Sequence, residues 1–273
     1  MTHDIASPAG IDQGIDPGVP SPARIYDYYL GGKDNFAADR EAAEKALSVV
    51  PQGREVARSN RRFLTRAVRY MASHGVAQFI DLGTGFPTPP SVHETAAALV
   101  DGPRVVYVDN DPMVTCHNRA LLAGDQDGVA VLHGDIRCPG QILKQDDLWK
   151  TIDFGRPVGV LLVAVLHFIP GEDDPQSSVS AFCSLMAPGS FLAISHITSD
   201  GTGPAIMAAI RAAYRTASAP AVFRSRGEIE GFFAGLDLVQ PGIVEVSAWR
   251  ASASRPPLTP AALRFLGGVG RKR

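Results

Sequence analysis

The residues best placed to do chemistry are a glycine turn and two aspartates at the ends of three short apolar runs. They lie in "FIDLGTG" (79–85), "VVYVDNDP" (105–112) and "HGDIR" (133–137). After Asp81 comes Gly83-Thr84-Gly85. Glycine there permits positive φ and lets a ligand approach where a Cβ would stand, and the amides that follow can donate hydrogen bonds. Asp109 can accept from the two hydroxyls of a ribose. Asp135 can accept from an exocyclic amine while Ile136 packs on the base. Each has a plainer reading: a strand–helix turn for the glycines, a turn acid for Asp109, a solvated turn carboxylate for Asp135. Asp111 before Pro112 is the better helix N-cap of its pair. Taken together, the three strand ends describe a site for an adenosine without a phosphate.

Two phosphate-binding patterns fail on the same loop. The dinucleotide fingerprint needs a small third residue opening a helix, and Thr88 stands there among Pro87, Pro89 and Pro90, which delay the helix to about Ser91. No Gly-Lys-Ser/Thr follows, so Walker A is absent.

These sites require a frame. Apolar runs at 76–82, 104–109, 129–135, 158–166 and 190–197 alternate with helical segments at 91–100, 113–124 and 177–187. Runs apolar on both faces mean that both faces of the sheet are covered. The alternation predicts an α/β, Rossmann-like, doubly wound and mostly parallel sheet of seven strands. Residues 228–250 read as a helix and two strand-like runs that form an antiparallel C-terminal edge hairpin. Before the sheet, 39–50 and 54–75 carry helix formers at helical spacing, with Gly75 as a C-cap. The chain then divides into a disordered tail (1–20), a helical N-terminal extension (21–75) and a core (76–273).

Composition narrows the function classes. Lys+Arg number 26 and Asp+Glu 28 among 273 residues, a formal charge of −2, so no basic field gathers nucleic acid. Cys116, Cys138 and Cys183 form no CxxC pair and no disulfide framework, which suits a reducing cytoplasm. The first residues lack the charge and apolar core of a signal peptide, and no run is long enough to span a bilayer. The histidines show no metal-ligand spacing, so no metal is expected. Arg61-Arg62 reads as a solvated helix face and the terminal "GRKR" as exposed charge.

The pieces "DLGTG" (81–85), "YVDNDP" (107–112) and "GDIR" (134–137) resemble class I S-adenosylmethionine-dependent methyltransferases. More narrowly, "PSPARIYDYYLGGKDNFAADREAAE" (20–44), "SNRRFLTRAVRYM" (59–71) and "VAVLHFIP" (163–170) resemble the actinobacterial S-adenosyl methyltransferase family, formerly a domain of unknown function. The resemblance implies S-adenosylmethionine as cofactor and S-adenosylhomocysteine as product. Gly83, Thr84 and Gly85 would pass the methionine end, with Asp109 at the ribose and Asn110 beside the adenine. Asp135 and Ile136 would flank the base, and Ala164 and Val165 would line the methionyl side. Pro87 departs from the general Gly-x-Gly-x-Gly form but suits the narrower family. The extension, with Arg24, Tyr26, Lys33 and Asn35, would form a lid and part of the acceptor site, excluding water.

His167 and Tyr28 are the candidate catalytic residues, with packing an equal alternative for His167 and His196 a weaker candidate base. No Asp/Asn-Pro-Pro-Tyr or Pro-Cys motif is present, so a small molecule is expected as acceptor rather than nucleic acid. A nicotinamide-dependent oxidoreductase and a non-catalytic S-adenosylmethionine sensor remain as alternatives, and the oligomeric state is open.

Overall fold

The structure is a computed structural model that describes residues 15–124, 127–252 and 262–273. Three helices come first: α1 (Pro22–Leu30), α2 (Ala37–Val49) and α3 (Gly53–Ala72). Gly31 ends α1 in the left-handed region, its amide bonded to the Tyr28 carbonyl. Helix α3 buries Val56, Asn60, Phe63, Leu64, Ala67, Val68 and Met71, a stripe at helical spacing. The Gly75 and Val76 amides close it onto Ala72 and Met71.

Five parallel strands follow: β1 (Gln78–Leu82), β2 (Arg104–Asp109), β3 (Val129–His133), β4 (Gly159–Val163) and β5 (Phe191–Ile197). Each falls inside an apolar run of the sequence. Between and after them lie α4 (Val92–Ala97), α5 (Pro112–Asn118), α6 (Pro139–Ile142), α7 (Asp146–Thr151), α8 (Pro175–Leu185), α9 (Pro204–Ala213) and α10 (Arg226–Gly231). Two short strands, β6 (Asp237–Leu238) and β7 (Val244–Glu245), and the longer β8 (Phe265–Arg271) complete the sheet. The order is β3-β2-β1-β4-β5-β8-β6, with β7 also on β8, so direction along the sheet reverses between β1 and β4. Alternate strand residues serve two cores. Phe79, Val105, Tyr107, Leu161 and Phe191 face α1–α4 and α9; Ile80, Val106, Val160 and Leu192 face α7, α8 and α10.

The far edge differs from the expected hairpin. The runs of 228–250 yield β6 and β7, which pair with β8 and not with each other; β8 itself runs antiparallel to β5. Among the described residues the sheet therefore has eight strands in seven lateral positions, because β6 and β7 share the outer edge of β8. Strand β8, "FLGGVGR", escapes sequence reasoning because glycine disfavours strands. Its glycines answer to space: a Cβ on Gly267 would meet Phe63 at 3.0 Å, and one on Gly270 would meet Phe233 at 2.9 Å. The terminal charges are likewise engaged. Lys272 Nζ donates to the Cys183 carbonyl, and Arg273 pairs with Asp237.

The N-terminal extension shares its core with the sheet: Ile25, Ala43 and Phe63 pack in one cluster with Phe79, Phe191 and Trp249. Of the expected tail, residues 1–14 lie outside the described residues. From Ile15 the chain is placed: the Val19 carbonyl accepts from Arg24, and the Pro20 carbonyl accepts from the Ser218 amide. No helix among the described residues is long and apolar enough to cross a membrane.

Candidate active site

The carboxyl ends of β1 to β4 open on one cavity of about 390 Å³, at the point where strand order reverses. Local rules place its walls. Ser91 caps α4 in a box with Glu94, so the helix starts after the proline run. Asp111 caps α5 by accepting from the Met113 amide at 2.9 Å, with Pro112 at the first helical position.

The Gly83–Gly85 turn crosses the cavity floor with φ of +71° at Gly83 and +66° at Gly85. Its amides do not face a ligand, contrary to the simplest reading of the loop. Gly83 N and Thr84 N both donate to the Val108 carbonyl (2.8 and 3.1 Å), and Gly85 N donates to Asp109 Oδ2 at 2.9 Å. No cradle for a phosphate remains in these three amides. A Cβ on Gly83 would lie 2.5 Å from Val165 Cγ2, so Val165 packs directly on this turn. Ala164 beside it has φ of +63°, and its amide donates to Ser195 Oγ at 3.0 Å.

Three carboxylates ring the turn. Asp109 is buried and accepts from Gly85 N and Asp111 N; burial raises its carboxyl to about 6, against those two bonds. Asp81 is also buried and also raised by burial to about 6, opposed by the Thr84 hydroxyl at 2.8 Å and the charge of Arg61. Asp135 behaves differently. Burial pushes it up, but a fork of hydrogen bonds from Arg137 holds it below the ordinary carboxylate range. Asn110 reaches the same carboxylate at 3.3 Å, and Ile136 is buried beside it in the cavity wall.

Gly83, Thr84, Gly85, Asp109, Asn110, Asp135, Ile136, Ala164 and Val165 thus line one cavity, together with Arg24 and Tyr26 of the extension. Arg24 lines it as a clamp. Its Nε lies 3.0 Å from Asp39 Oδ2, and its guanidinium also holds the Val19 carbonyl. The Tyr26 hydroxyl donates to the Ala57 carbonyl and accepts from Asn60 Nδ2, both at 3.0 Å.

Four expected site residues are not brought there. Lys33 is exposed beyond the end of α1. Asn35 is buried, bonded to Asp27 and Gly32, because the loop turns inward to start α2. Tyr28 projects to the outer side of α1, where its hydroxyl meets Glu44 and Arg54 stacks on its ring. Tyr28→Phe should therefore leave affinity for S-adenosylhomocysteine unchanged by calorimetry, and change stability by no more than about 0.5 kcal/mol. His167 sits in a short turn after β4, packed on Phe168, His196 and Phe265 and away from this cavity. Burial, then His196 and Arg224, hold its pKa well below the ordinary imidazole value. His196 is held neutral too, lowered by burial to about 3, its Nδ1 bonded to the Ile197 carbonyl and its Nε2 to Arg224.

Among the lining residues that sequence reasoning did not assign to the site are Asp81, Asn60 and Arg61. Asp81 was visible as the acid of "DLGTG". Arg61 was hidden by Arg62: Arg62 pairs with Glu55 at the surface, while Arg61 turns to the loop and donates to the Thr88 carbonyl at 2.8 Å. Among the described residues no group of His, Cys, Asp or Glu could hold a metal ion.

The family described as S-adenosyl methyltransferase matches residues 8–273. A candidate methyltransferase of Thermobifida fusca YX is 39% identical, with a TM-score of 0.88 over 99% of this chain and 100% of that one. A DUF574 family protein of Streptomyces avermitilis MA-4680 is 37% identical, with a TM-score of 0.90 over 95% and 100%. At 20% identity and a TM-score of 0.50, over 83% of this chain and 84% of the other, the 1,6-didemethyltoxoflavin-N1-methyltransferase of Burkholderia thailandensis, bound to its ligand and S-adenosylhomocysteine, shares the fold. No curated protein matches. Neither the oxidoreductase nor the sensor alternative gains support. The chain belongs to the S-adenosyl methyltransferase family, enzymes that use S-adenosylmethionine as methyl donor.

Proposed function

We propose that the chain transfers the methyl group of S-adenosylmethionine to a small-molecule acceptor within the cavity at the β1–β4 strand ends. The observation that carries this reading is the spent turn: Gly83, Thr84 and Gly85 donate their amides to β2, so the loop suits a nucleoside bearing an amino acid and not a pyrophosphate. Asp109 would hold the ribose and Ile136 the base. Asp135 keeps its Arg137 partner, so its contact with the base would use remaining lone pairs. The amino-acid end is a zwitterion, and the cavity offers both charges it needs: Asp81 for the ammonium and Arg61 for the carboxylate. Asn60 Oδ1, buried without a hydrogen-bond partner, is a further acceptor at that wall. The sulfonium supplies an already activated methyl group; the protein's share is alignment and exclusion of water. The segment from Val19 to Tyr26 serves as the lid, held over the cavity by Arg24. Titration with S-adenosylhomocysteine and with NAD by calorimetry tests the reading; binding of NAD alone would overturn it.

The two raised carboxyls make cofactor binding pH-dependent. In the free protein Asp81 and Asp109 have folded pKa values near 6, above the ordinary carboxyl value. Their contribution to stability is fully present below the unfolded pKa and is lost as pH rises through about 6. A ligand carrying an ammonium and ribose hydroxyls prefers both groups ionised. Affinity for S-adenosylhomocysteine should rise from about pH 5 to about pH 7, by about tenfold for each carboxyl that must ionise. Calorimetry near pH 6 in buffers of different ionisation enthalpy should show protons released; proton uptake would contradict the assignment.

A further inference from the structure

A second, smaller cavity of about 60 Å³ lies between α1–α3 and α9 and shares Tyr26 and Phe168 with the first. Its lining includes Tyr29, Ala57, His167, Ile197, Ile210 and Phe265, with no Asp, Glu, Lys or Arg. His167 is 4% exposed, and its Nδ1 has no hydrogen-bond partner. Buried polar atoms are nearly always paired, so an orphan on a residue of the cavity wall is a hydrogen-bonding capacity that the chain itself leaves unmet. Space also favours a second chamber. At about 390 Å³ the first cavity is near the lower limit for a ligand site, and a nucleoside with an amino acid takes up much of it.

We propose that this chamber is the acceptor subsite and receives the uncharged, apolar end of the methyl acceptor, a ring edge or a branched alkyl group. The inference rests on the methyltransferase reading and specifies the acceptor class for it. Three properties set the class. The walls carry no charge to pair with a charged group, and burying one unpaired is costly. The volume holds about four water molecules, enough for part of a ring or a branched chain end and not for a whole acceptor. The one imidazole in the wall is neutral and can take a hydrogen bond from a hydroxyl or amine without demanding a charge. Phe168 and Tyr26, common to both cavities, would then set the depth at which the nucleophile meets the methyl group.

The test uses the full chain saturated with S-adenosylhomocysteine and labelled at isoleucine methyl groups. Phenol and isobutanol are titrated as neutral probes, benzoate and isobutylammonium as charged probes of similar shape. The neutral probes should shift the Ile197 and Ile210 methyl signals saturably, and the charged ones should bind about tenfold more weakly or less. Ile210→Phe and, separately, Ala57→Leu fill the chamber and should abolish the neutral shifts at Ile197 while retaining S-adenosylhomocysteine binding. If one variant does not fold, the other decides. Equal binding of neutral and charged probes, silent isoleucine signals, or shifts that survive a filled chamber would each overturn the proposal. Failure of S-adenosylhomocysteine to bind at the outset would instead strike the underlying reading.

Discussion

Arg24→Met should destabilise the protein by about 3–5 kcal/mol, the usual cost of removing one partner from a buried ion pair. Asp39, its partner, is fully buried. Without the guanidinium its carboxylate keeps only the amides of Ser21 and Phe36, at 2.8 and 2.7 Å. The same side chain holds the Val19 carbonyl, lies 3.8 Å from Asp111 and covers the Phe36 ring. Its loss therefore loosens α1, the turn before it and the start of α5 together. Urea denaturation should show the lower midpoint, and calorimetry a weaker complex with S-adenosylhomocysteine. Arg24→Met with Asp39→Asn should be more stable than Arg24→Met alone, because the stranded charge is gone, although the asparagine keeps an acceptor for only one of the two amides, which bond to different oxygens of Asp39. A double variant no more stable than the single one would show that the charge is not the cause.

Gly83→Ala should cost about 2–5 kcal/mol and suppress cofactor binding, whereas Gly85→Ala should cost only about 1–2 kcal/mol. Both glycines have positive φ, so both substitutions meet the left-handed penalty. Space separates them. At Gly83 the new methyl would overlap Val165, which lines the cavity at the end of β4, whereas at Gly85 nothing lies within 4 Å. Relief at Gly83 has to move Val165 or the turn, and the turn is pinned to Val108 and Asp109 by its amides. Thermal unfolding and calorimetry of the pair should separate overlap from backbone strain. Equal effects at both positions would mean that Val165 yields freely. Gly83→Ala with Val165→Ala, which removes the overlapping methyls, should then recover part of the loss.

How legible the molecule was in its sequence varies by element. All five parallel strands sit within apolar runs, because a strand covered on both faces must be apolar on both faces. The caps Ser91 and Asp111 were readable for a local reason: each satisfies backbone groups of its own helix end. Strand β8 was not, since its glycines are selected by Phe63 and Phe233, remote in sequence. The site divides the same way. The glycine turn and the acids Asp109 and Asp135 stand at strand ends, where topology gathers them. Tyr28, Lys33 and Asn35 were drawn from one short segment: Tyr28 leaves α1 on its outer side, since one residue along a helix rotates a side chain by about 100°, whereas Lys33 and Asn35 lie beyond the helix in a loop whose path its own residues do not set.

The sequence alone determined a doubly wound sheet, the strand ends that carry chemistry and the exclusion of a phosphate loop, because periodicity, φ preference and turn residues act over a few neighbours. Tertiary structure decided the rest. It spent the turn's amides on β2, turned Arg61 toward the first cavity and Arg62 toward Glu55, used Arg24 as a clamp, and placed His167 in the wall of a neighbouring chamber. Each of these depends on which distant element packs against which face, a long-range property that no local pattern encodes.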